Sequence, residues 1–318
     1  MQRYIARRLL FGIPTLFGIT VLIFVVMRLL PGDPLAVFYG IEMVQQYTPE
    51  QRASILHDMG LDRHWVVQYG AWMKDVATGK MGKSFLRGDP IFELIVSRGA
   101  ISAEIAFLSV AISWLLGIPF GIISALRPNS VQDGAVSIFT VLFLAIPGFW
   151  LALLTVVALI TWFDYKSSIV AVQLWQNPWT NLQIIIGPGV VLGLGQAAYV
   201  GRMARSTLFE VLREDYVRTA RAKGLRERLV LVRHALPNAL LPVVTLSGLI
   251  LGYVMGGSVV VEKAFGAPGL GKALVAATVD RDMNVVQNIV LFYGVVFVII
   301  NLGVDLLYGW LDPRIRYD

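Results

Sequence analysis

The segment with the clearest chemical potential is similar to a phosphate-binding loop. Residues 77–84 read ATGKMGKS, which fits the pattern GxxxxGK[ST] except that Ala77 stands where the first glycine belongs. Such a loop needs a strand before it and a helix after it, because its backbone amides must surround the phosphate. That context is missing here, and no other stretch offers ATP chemistry. We therefore expect no nucleotide site and no motor within this chain.

Metal and catalytic sites are not expected either. His57 and His64 are separated by a glycine break, and His234 lies in a distant segment, so the three histidines cannot form a cluster by their spacing. The chain has no cysteine, which excludes disulfide bonds and thiolate metal sites. No Ser/His/Asp arrangement suggests catalysis. We expect a chain that is not an enzyme and that holds no metal and no cofactor of its own.

The composition indicates a membrane protein with several spans. Of the 318 residues, 56% are hydrophobic and only 15% are charged, which is apolar for a soluble protein. A bilayer core of about 30 Å needs roughly 20 apolar residues in a helix. The first apolar run is too long for a signal peptide and is followed by LPGDP instead of a cleavage site. Six stretches are long enough to span, and we place them near residues 9–30, 100–125, 136–161, 184–205, 239–261 and 285–308.

The positive charge of the chain indicates orientation in the membrane. The net charge is +6, and most arginines fall in the inner segments when the amino terminus is placed in the cytoplasm. The short outer loops then carry only Lys166, Lys263, Lys272 and Arg281, as the positive-inside rule requires. We therefore expect both termini in the cytoplasm and no nucleic-acid partner. Segment 77–84 then lies outside, where ATP is scarce.

The outer segment, 31–99, is expected to form a small helical cap. Thr48 and Pro49 favour the start of a helix, since threonine caps and proline fits the first turn. Gly60 favours its end. A second short helix is expected around 63–76, and its aromatic residues could sit at the membrane interface: Trp65, Tyr69 and Trp72.

Breaks and small residues are expected to shape the spans. Pro147 should kink or break the third span. Small-residue faces in the fourth and fifth spans favour close packing over gating: Gly187, Gly189, Gly193 and Gly195, and then Gly248, Gly252 and Gly256.

Few polar side chains fall within or near the spans. Arg28, Glu104 and Glu262 lie near span ends, where they can snorkel. Asn301 and Asp305 share a face near the inner end of the sixth span, and we favour a structural role over substrate binding. No Asp/Glu/His chain crosses the midplane, which argues against a proton-coupled carrier.

Residues 206–238 lie between the fourth and fifth spans and are expected to dock onto a partner. Within them, 209–238 read FEVLREDYVRTARAKGLRERLVLVRHALPN, which predicts a basic helix at 208–223, a break at Gly224 and a second helix. The segment is too short to be a domain. A DNA-binding helix-turn-helix is disfavoured because membrane spans tether both ends.

This segment resembles the coupling motif of permease subunits of bacterial ABC importers, E-A-A-x3-G-x9-I-x-L-P. Ala220, Gly224, Leu236 and Pro237 fall at matching positions. The sequence departs from the motif at Arg218, Thr219 and His234, and the resulting RTARAKGL and RHALPN resemble the peptide-importer branch. The glutamate that often pairs with the ATPase is missing.

Other stretches are similar to the larger-loop permease of dipeptide and oligopeptide importers. The usual GDLGxS appears here as GKMGKS at 79–84. The matching stretches are LPGDP at 30–34, MGLD at 59–62, QY at 68–69, VEKAFGAPGLG at 261–271, RDMNVVQ at 281–287 and NLGVDLLYGWLDPRIRYD at 301–318.

This resemblance implies a single all-α membrane domain, 1–318, with six transmembrane helices and the type I ABC importer permease fold. It implies the bacterial cytoplasmic (inner) membrane, a heterodimer with a second permease, two cytoplasmic ATPase subunits that hold ATP and Mg, and an extracytoplasmic substrate-binding protein. Short peptides are the expected substrate, and nickel, glutathione or another small solute are the alternatives. A self-contained secondary transporter would need an intramembrane ion site or inverted repeats, and neither is evident.

Three sets of site residues follow from these interpretations. The outer loop 262–284 is expected to be turn-rich and to contact the binding protein or gate the passage, with a re-entrant packing element as the alternative. The residues for ATPase coupling are Glu214, Asp215, Arg218, Ala220, Lys223, Gly224 and Leu225, those for binding-protein contact or outer gating are Phe265, Pro268, Gly269 and Leu270, and those for structure are Asn301, Asp305, Asp312 and Arg314.

Overall fold

The computed structural model describes residues 2–29, 35, 41–166 and 170–311. Within this part of the chain the regular structure is helical, and the β-bridge between Lys83 and Pro90 is isolated. The helices are α1 (Gln2–Leu29), α2 (Ile41–Gln46), α3 (Pro49–Asp58), α4 (Trp65–Ala77), α5 (Ile91–Leu126), α6 (Val131–Ala145), α7 (Gly148–Phe163), α8 (Pro178–Val211), α9 (Asp215–Ala222), α10 (Glu227–Ala239), α11 (Leu241–Gly257), α12 (Val259–Phe265), α13 (Leu270–Val279) and α14 (Met283–Leu311).

Among the described residues, four helical stretches are long and apolar enough to cross a membrane: Leu10–Leu29, Ile91–Leu126, Pro178–Val211 and Met283–Leu307. Two bent pairs pass the same test, with a bend of 96° between α6 and α7 and of 45° between α10 and α11. Counting each pair as one span gives the six predicted spans. The second and fourth are longer than predicted, because α5 and α8 continue beyond their apolar stretches into more polar residues.

The predicted break at Pro147 is confirmed. Helix α6 ends at Ala145 and α7 begins at Gly148. Proline has no N–H for the helical ladder, and its ring pushes the preceding residue out of the helical region. Ile146 accordingly has the extended angles φ −80° and ψ 120°.

The α5 and α8 pair packs through small residues at the centre of the molecule. A Cβ atom on Gly117 would lie 2.7 Å from the Ala197 carbonyl oxygen, closer than van der Waals contact permits. The predicted packing role is confirmed for Gly189 and Gly193, which lie against side chains of α5. Gly195 is different, since a Cβ there would meet no heavy atom within 4 Å.

The small-residue face of α11 packs in part against α14. Gly248 and Gly252 lie against Val304 and Phe297, so the packing interpretation holds for these two positions. Gly256 has open space on the side where a Cβ would point, with no heavy atom within 4 Å. This position therefore does not contribute to the α11–α14 contact.

The helices predicted for the outer segment are present. Thr48 caps α3 through a capping box with Gln51, and Gly60 follows the helix at φ 67°. Helix α4 packs against the spans, because Trp72 is buried against Phe24 of α1 and Leu291 of α14.

Glu262 and the surrounding segment differ from the prediction. Instead of a turn-rich loop, residues 259–279 form α12 and α13, joined at Gly266, which has φ 68°. Glu262 does not snorkel, because its side chain is fully buried. Hydroxyls of Ser102 and Ser258 each donate to its carboxylate at 2.8 Å, and the Lys272 N–H donates at 3.2 Å. These donors replace water around the carboxylate and attach the α12–α13 hairpin to α5.

The LPGDP motif at 30–34 lies outside the described residues, as do the predicted structural residues Asp312 and Arg314.

Candidate functional site

The basic loop, defined here as residues 212–239, is held rigidly at the end of α8. Helix α8 continues through Val211, so the predicted helix at 208–223 is divided, and its second part is α9. Gly224 has φ 76° and ends α9, as predicted. Most L side chains are strained in this left-handed region, which explains why glycine occupies the position.

The seven predicted coupling residues divide into an exposed group and an inward-facing group. Ala220 is buried, and Leu225 packs beside it in a cluster with Val217 and Val230. This apolar side attaches α9 to the start of α10. The exposed residues are Glu214, Asp215, Arg218, Lys223 and Gly224.

Polar contacts fix the orientation of α9. Arg221 donates to both carboxylate oxygens of Glu227, at 2.7 and 3.1 Å, and to the Leu212 carbonyl at 3.3 Å. The Asn238 side chain donates to the Tyr216 hydroxyl at 2.9 Å. Arg221, Glu227, Tyr216 and Asn238 were not predicted from the sequence, because their partners lie across the glycine turn and not at helical spacing.

The basic loop presents a short rigid helix with mixed charge. Its first turn carries Asp215, which complements the positive end of the helix. Arg218, Lys223 and Arg226 are exposed beyond it. A rigid helix with exposed charges is suited to docking in a groove of a partner, since little conformational entropy is lost on binding.

A cavity of about 610 Å³ lies beside the break at Pro147. Gln196 and Tyr199 of α8 and Tyr253 of α11 contribute polar groups to a largely apolar lining. The described residues that line it come from α6, α7, α8, α11, α12 and the break at Pro147, and none of them is charged. Irregular backbone at membrane depth is tolerated where it lines a cavity, so the break and the cavity are consistent with each other.

The four residues predicted to contact a binding protein or to gate the passage are inside the structure. Phe265 and Leu270 are 2% and 0% exposed, and Pro268 and Gly269 are buried between them. Phe265 packs against Gly187, and Leu270 against Gly99. Contact of these four residues with a partner would require the α12–α13 hairpin to rearrange. Their role in binding-protein contact or outer gating stays a prediction.

The residues predicted to be structural in the sixth span make one contact with α1 and one within their own helix. Asp305 pairs with Arg8 of α1 at 3.1 Å, and both side chains are partly exposed. The Asn301 side chain donates to the Phe297 carbonyl at 2.8 Å. Asp305 therefore connects the first and last helices of the described chain.

The histidines of the outer segment have other partners. His57 Nδ1 lies 2.8 Å from Asp62 Oδ2, and this hydrogen bond holds the pKa of the Asp62 carboxyl below its ordinary value. His64 accepts from the Val66 N–H at 3.3 Å and so caps α4. Among the described residues, no group of His, Cys, Asp and Glu is arranged to hold a metal ion.

Comparison with protein families gives two matches that together cover most of the chain. Residues 117–317 match the model of the binding-protein-dependent transport system inner membrane component. Residues 1–103 match the model of the N-terminal part of the binding-protein-dependent transport system membrane component.

Full-length relatives are similar to this chain at 36–39% identity. One is a peptide transport system permease protein of Brucella abortus, 39% identical, with 100% of both chains covered. The oligopeptide transport system permease protein AppB of Bacillus subtilis is 38% identical, and the dipeptide transport system permease protein DppB of Alkalihalophilus pseudofirmus is 36% identical, again with 100% coverage of both chains.

Two solved structures share the fold. The inward-facing MetNI methionine ABC transporter matches with a TM-score of 0.56 at 20% identity, covering 70% of this chain and 98% of that chain. An amino acid ABC transporter matches with a TM-score of 0.51 at 15% identity, covering 70% and 95%. The all-α architecture is therefore that of ABC importer permeases.

Proposed function

This chain belongs to the family of binding-protein-dependent transport system inner membrane components, and from that membership we propose that it is a permease subunit of an ATP-driven importer of short peptides. The observation that carries the proposal is the full-length similarity, at 36–39% identity, to permeases named for peptide, oligopeptide and dipeptide transport. The chain is a multi-pass membrane protein. We assign it to the bacterial cytoplasmic membrane with both termini inside.

The cavity beside Pro147 supports a passage of low selectivity. Its lining is apolar apart from Gln196, Tyr199, Tyr253 and backbone groups. Weak binding favours release, since a solute that is held tightly cannot pass. The described lining offers no charged group that would bind a particular charged side chain of a peptide, so selectivity would come from a separate binding protein.

The hydrolysis of ATP is assigned to partner subunits. The segment that is similar to a phosphate-binding loop follows the end of α4, and Gly79 and Gly82 have positive φ within it. Ser84, which would be the phosphate and magnesium ligand, donates its hydroxyl hydrogen bond to Asp282. This contact attaches the segment 77–84 to the residue before α14. ATP and Mg would be bound by two separate ATPase subunits.

The proposed partners rest on the family membership and, for the ATPase, on the exposed charges of the basic loop. The basic loop would dock onto an ATPase subunit, and a second, similar permease would complete the passage at a heterodimer interface. An extracytoplasmic binding protein would deliver the peptide on the opposite side. Importers of nickel, glutathione or another small solute share this architecture, and that substrate class remains the second candidate.

Reconstitution tests the function and separates these candidates. The chain would be purified with its second permease and ATPase subunits, placed in vesicles with ATP inside, and supplied with the binding protein and a labelled peptide outside. We expect peptide uptake that depends on ATP and on the binding protein. Uptake of nickel or glutathione without uptake of peptides would reject the peptide assignment, and uptake driven by an ion gradient without ATP would reject the importer.

A further inference from the structure

Asp133, in the first turn of α6, is a carboxylate that is almost completely buried, with 5% of its surface exposed. Arg205 of α8 donates to both of its oxygens, from Nε at 3.1 Å and from Nη2 at 3.0 Å. The Ser124 hydroxyl at the end of α5 donates to the same carboxylate, and the Asn129 N–H donates at 3.0 Å. Three separate elements therefore converge on one side chain.

This contact is the main polar attachment of α6. In the whole helix only Asp133 and Thr140 are buried. The apolar side chains of Ile138, Val141 and Leu142 are 50–71% exposed. Helix α6 is held by this carboxylate together with Phe139, whose ring meets Phe120 of α5 edge-on at 5.1 Å. A two-bond contact with a guanidinium fixes direction as well as distance.

The two partners lie between the basic loop and the cavity. On one side, α8 runs from Arg205 into the basic loop, and the Thr207 hydroxyl donates to the Ala239 carbonyl at 2.8 Å. On the other side, α6 runs from Asp133 to the break at Pro147, where Phe143 and Leu144 line the cavity.

Close packing makes α5 and α8 a stiff frame at this level. A Cβ on Gly121 would lie 2.6 Å from Ala204 Cβ and 3.0 Å from the backbone nitrogen of Arg205. Because these helices approach so closely, a displacement of the inner end of α8 cannot be absorbed by sliding between them. The two hydrogen bonds from the Arg205 guanidinium to Asp133 would then pass the displacement to α6.

We propose that Asp133 and Arg205 are positioning residues that transmit movement of the basic loop to the α6–α7 wall of the passage. The proposal rests on the proposed function, because it needs a loop that moves with the nucleotide state of an ATPase. It differs from a static anchor, which would hold α6 in place without changing its position between states. Energetic coupling of this kind requires an element that both sites displace, and α6 is that element.

The substitutions separate the geometry of the contact from its charge. Arg205→Lys keeps the positive charge and loses the planar fork. Ser124→Ala removes the hydrogen bond that a neutral hydroxyl donates to the carboxylate and leaves the ion pair in place. Asp164→Asn is the matched control, because it neutralises a carboxylate whose pair with Lys166 is exposed at 3.1 Å.

The measurement uses the complete importer in vesicles and the lack of native cysteine in this chain. Spin labels on Ile138→Cys of α6 and Val67→Cys of α4, both more than half exposed, report their separation with and without ATP. Uptake and ATP hydrolysis are measured in the same preparation. In the native chain we expect the label separation to change with ATP. In Arg205→Lys that change should be lost while hydrolysis continues, with uptake per ATP reduced roughly tenfold.

Ser124→Ala should give a smaller loss of uptake per ATP, and Asp164→Asn none. Arg205→Lys with a native label response and native uptake per ATP would overturn the proposal. If Arg205→Lys does not assemble, Asp133→Asn decides, because it removes the charge that the Arg205 guanidinium binds, and native coupling in that variant overturns the proposal. A native complex whose labels respond to ATP but which imports no peptide would instead contradict the proposed function, so the two failures are distinguishable.

Discussion

Replacing Gly224 with valine should uncouple ATP hydrolysis from uptake while leaving the chain inserted and assembled. Gly224 has φ 76°, and a Cβ there would meet no heavy atom within 4 Å. The cost is therefore backbone strain, about 1–3 kcal/mol for a β-branched residue at positive φ. A folded protein with roughly 5–15 kcal/mol of stability survives that loss.

The strain acts on the orientation of α9. The turn is closed by the Gly224 N–H donating to the Arg221 carbonyl at 2.9 Å and by the Leu225 N–H donating to the Ala220 carbonyl at 3.4 Å. Returning φ to a negative value would break this turn and rotate α9 away from α10. Since about 1.4 kcal/mol corresponds to a tenfold change in population, strain of this size shifts the balance toward the rotated loop by roughly fivefold to a hundredfold.

Uptake and hydrolysis in the reconstituted importer test this reasoning. Gly60→Val is the matched control, because Gly60 has φ 67° and equally open surroundings but lies in the predicted outer segment. Gly224→Asn should retain most coupling, as asparagine tolerates positive φ. Normal uptake by Gly224→Val in a verified complex would refute the role of the turn in coupling. Equal uncoupling by Gly60→Val would show that the effect is not specific to the basic loop.

Three further outcomes are expected. Asp305→Asn should lower the yield of the complex, measured by purification, more than it changes substrate preference, and the effect should be modest because the pair with Arg8 is partly exposed and worth about 0–1 kcal/mol. Crosslinkers at Ala267 and Leu270 should react within the permease in the resting complex, since both are buried, and nucleotide-dependent crosslinks to the binding protein would show that the hairpin opens. Gly121→Val should prevent stable insertion, measured as folded protein in the membrane, because its Cβ would lie 2.7 Å from a backbone carbonyl of α8.

Much of the fold could be predicted because it depends on local chemistry. The apolar stretches indicated the spans, Pro147 indicated the break, and Thr48 indicated the start of α3, each through an effect that acts within a few residues. The basic loop could be located for the same reason, since Gly224 needs left-handed backbone and its neighbours have helical spacing. Its exact helix ends were less predictable, because α8 has no stop signal before Val211.

The surroundings of Glu262 show why the other features could not be predicted. Near a span end, a glutamate is ordinarily solvated, and nothing in the local sequence distinguishes this one. Its burial depends on Ser102, which lies far away in the chain and donates at 2.8 Å. Gly269 also contributes, because a Cβ there would overlap a Glu262 carboxylate oxygen. The glycines that suggested an exposed turn instead leave room for a buried carboxylate, and residue types alone do not separate these two uses of glycine.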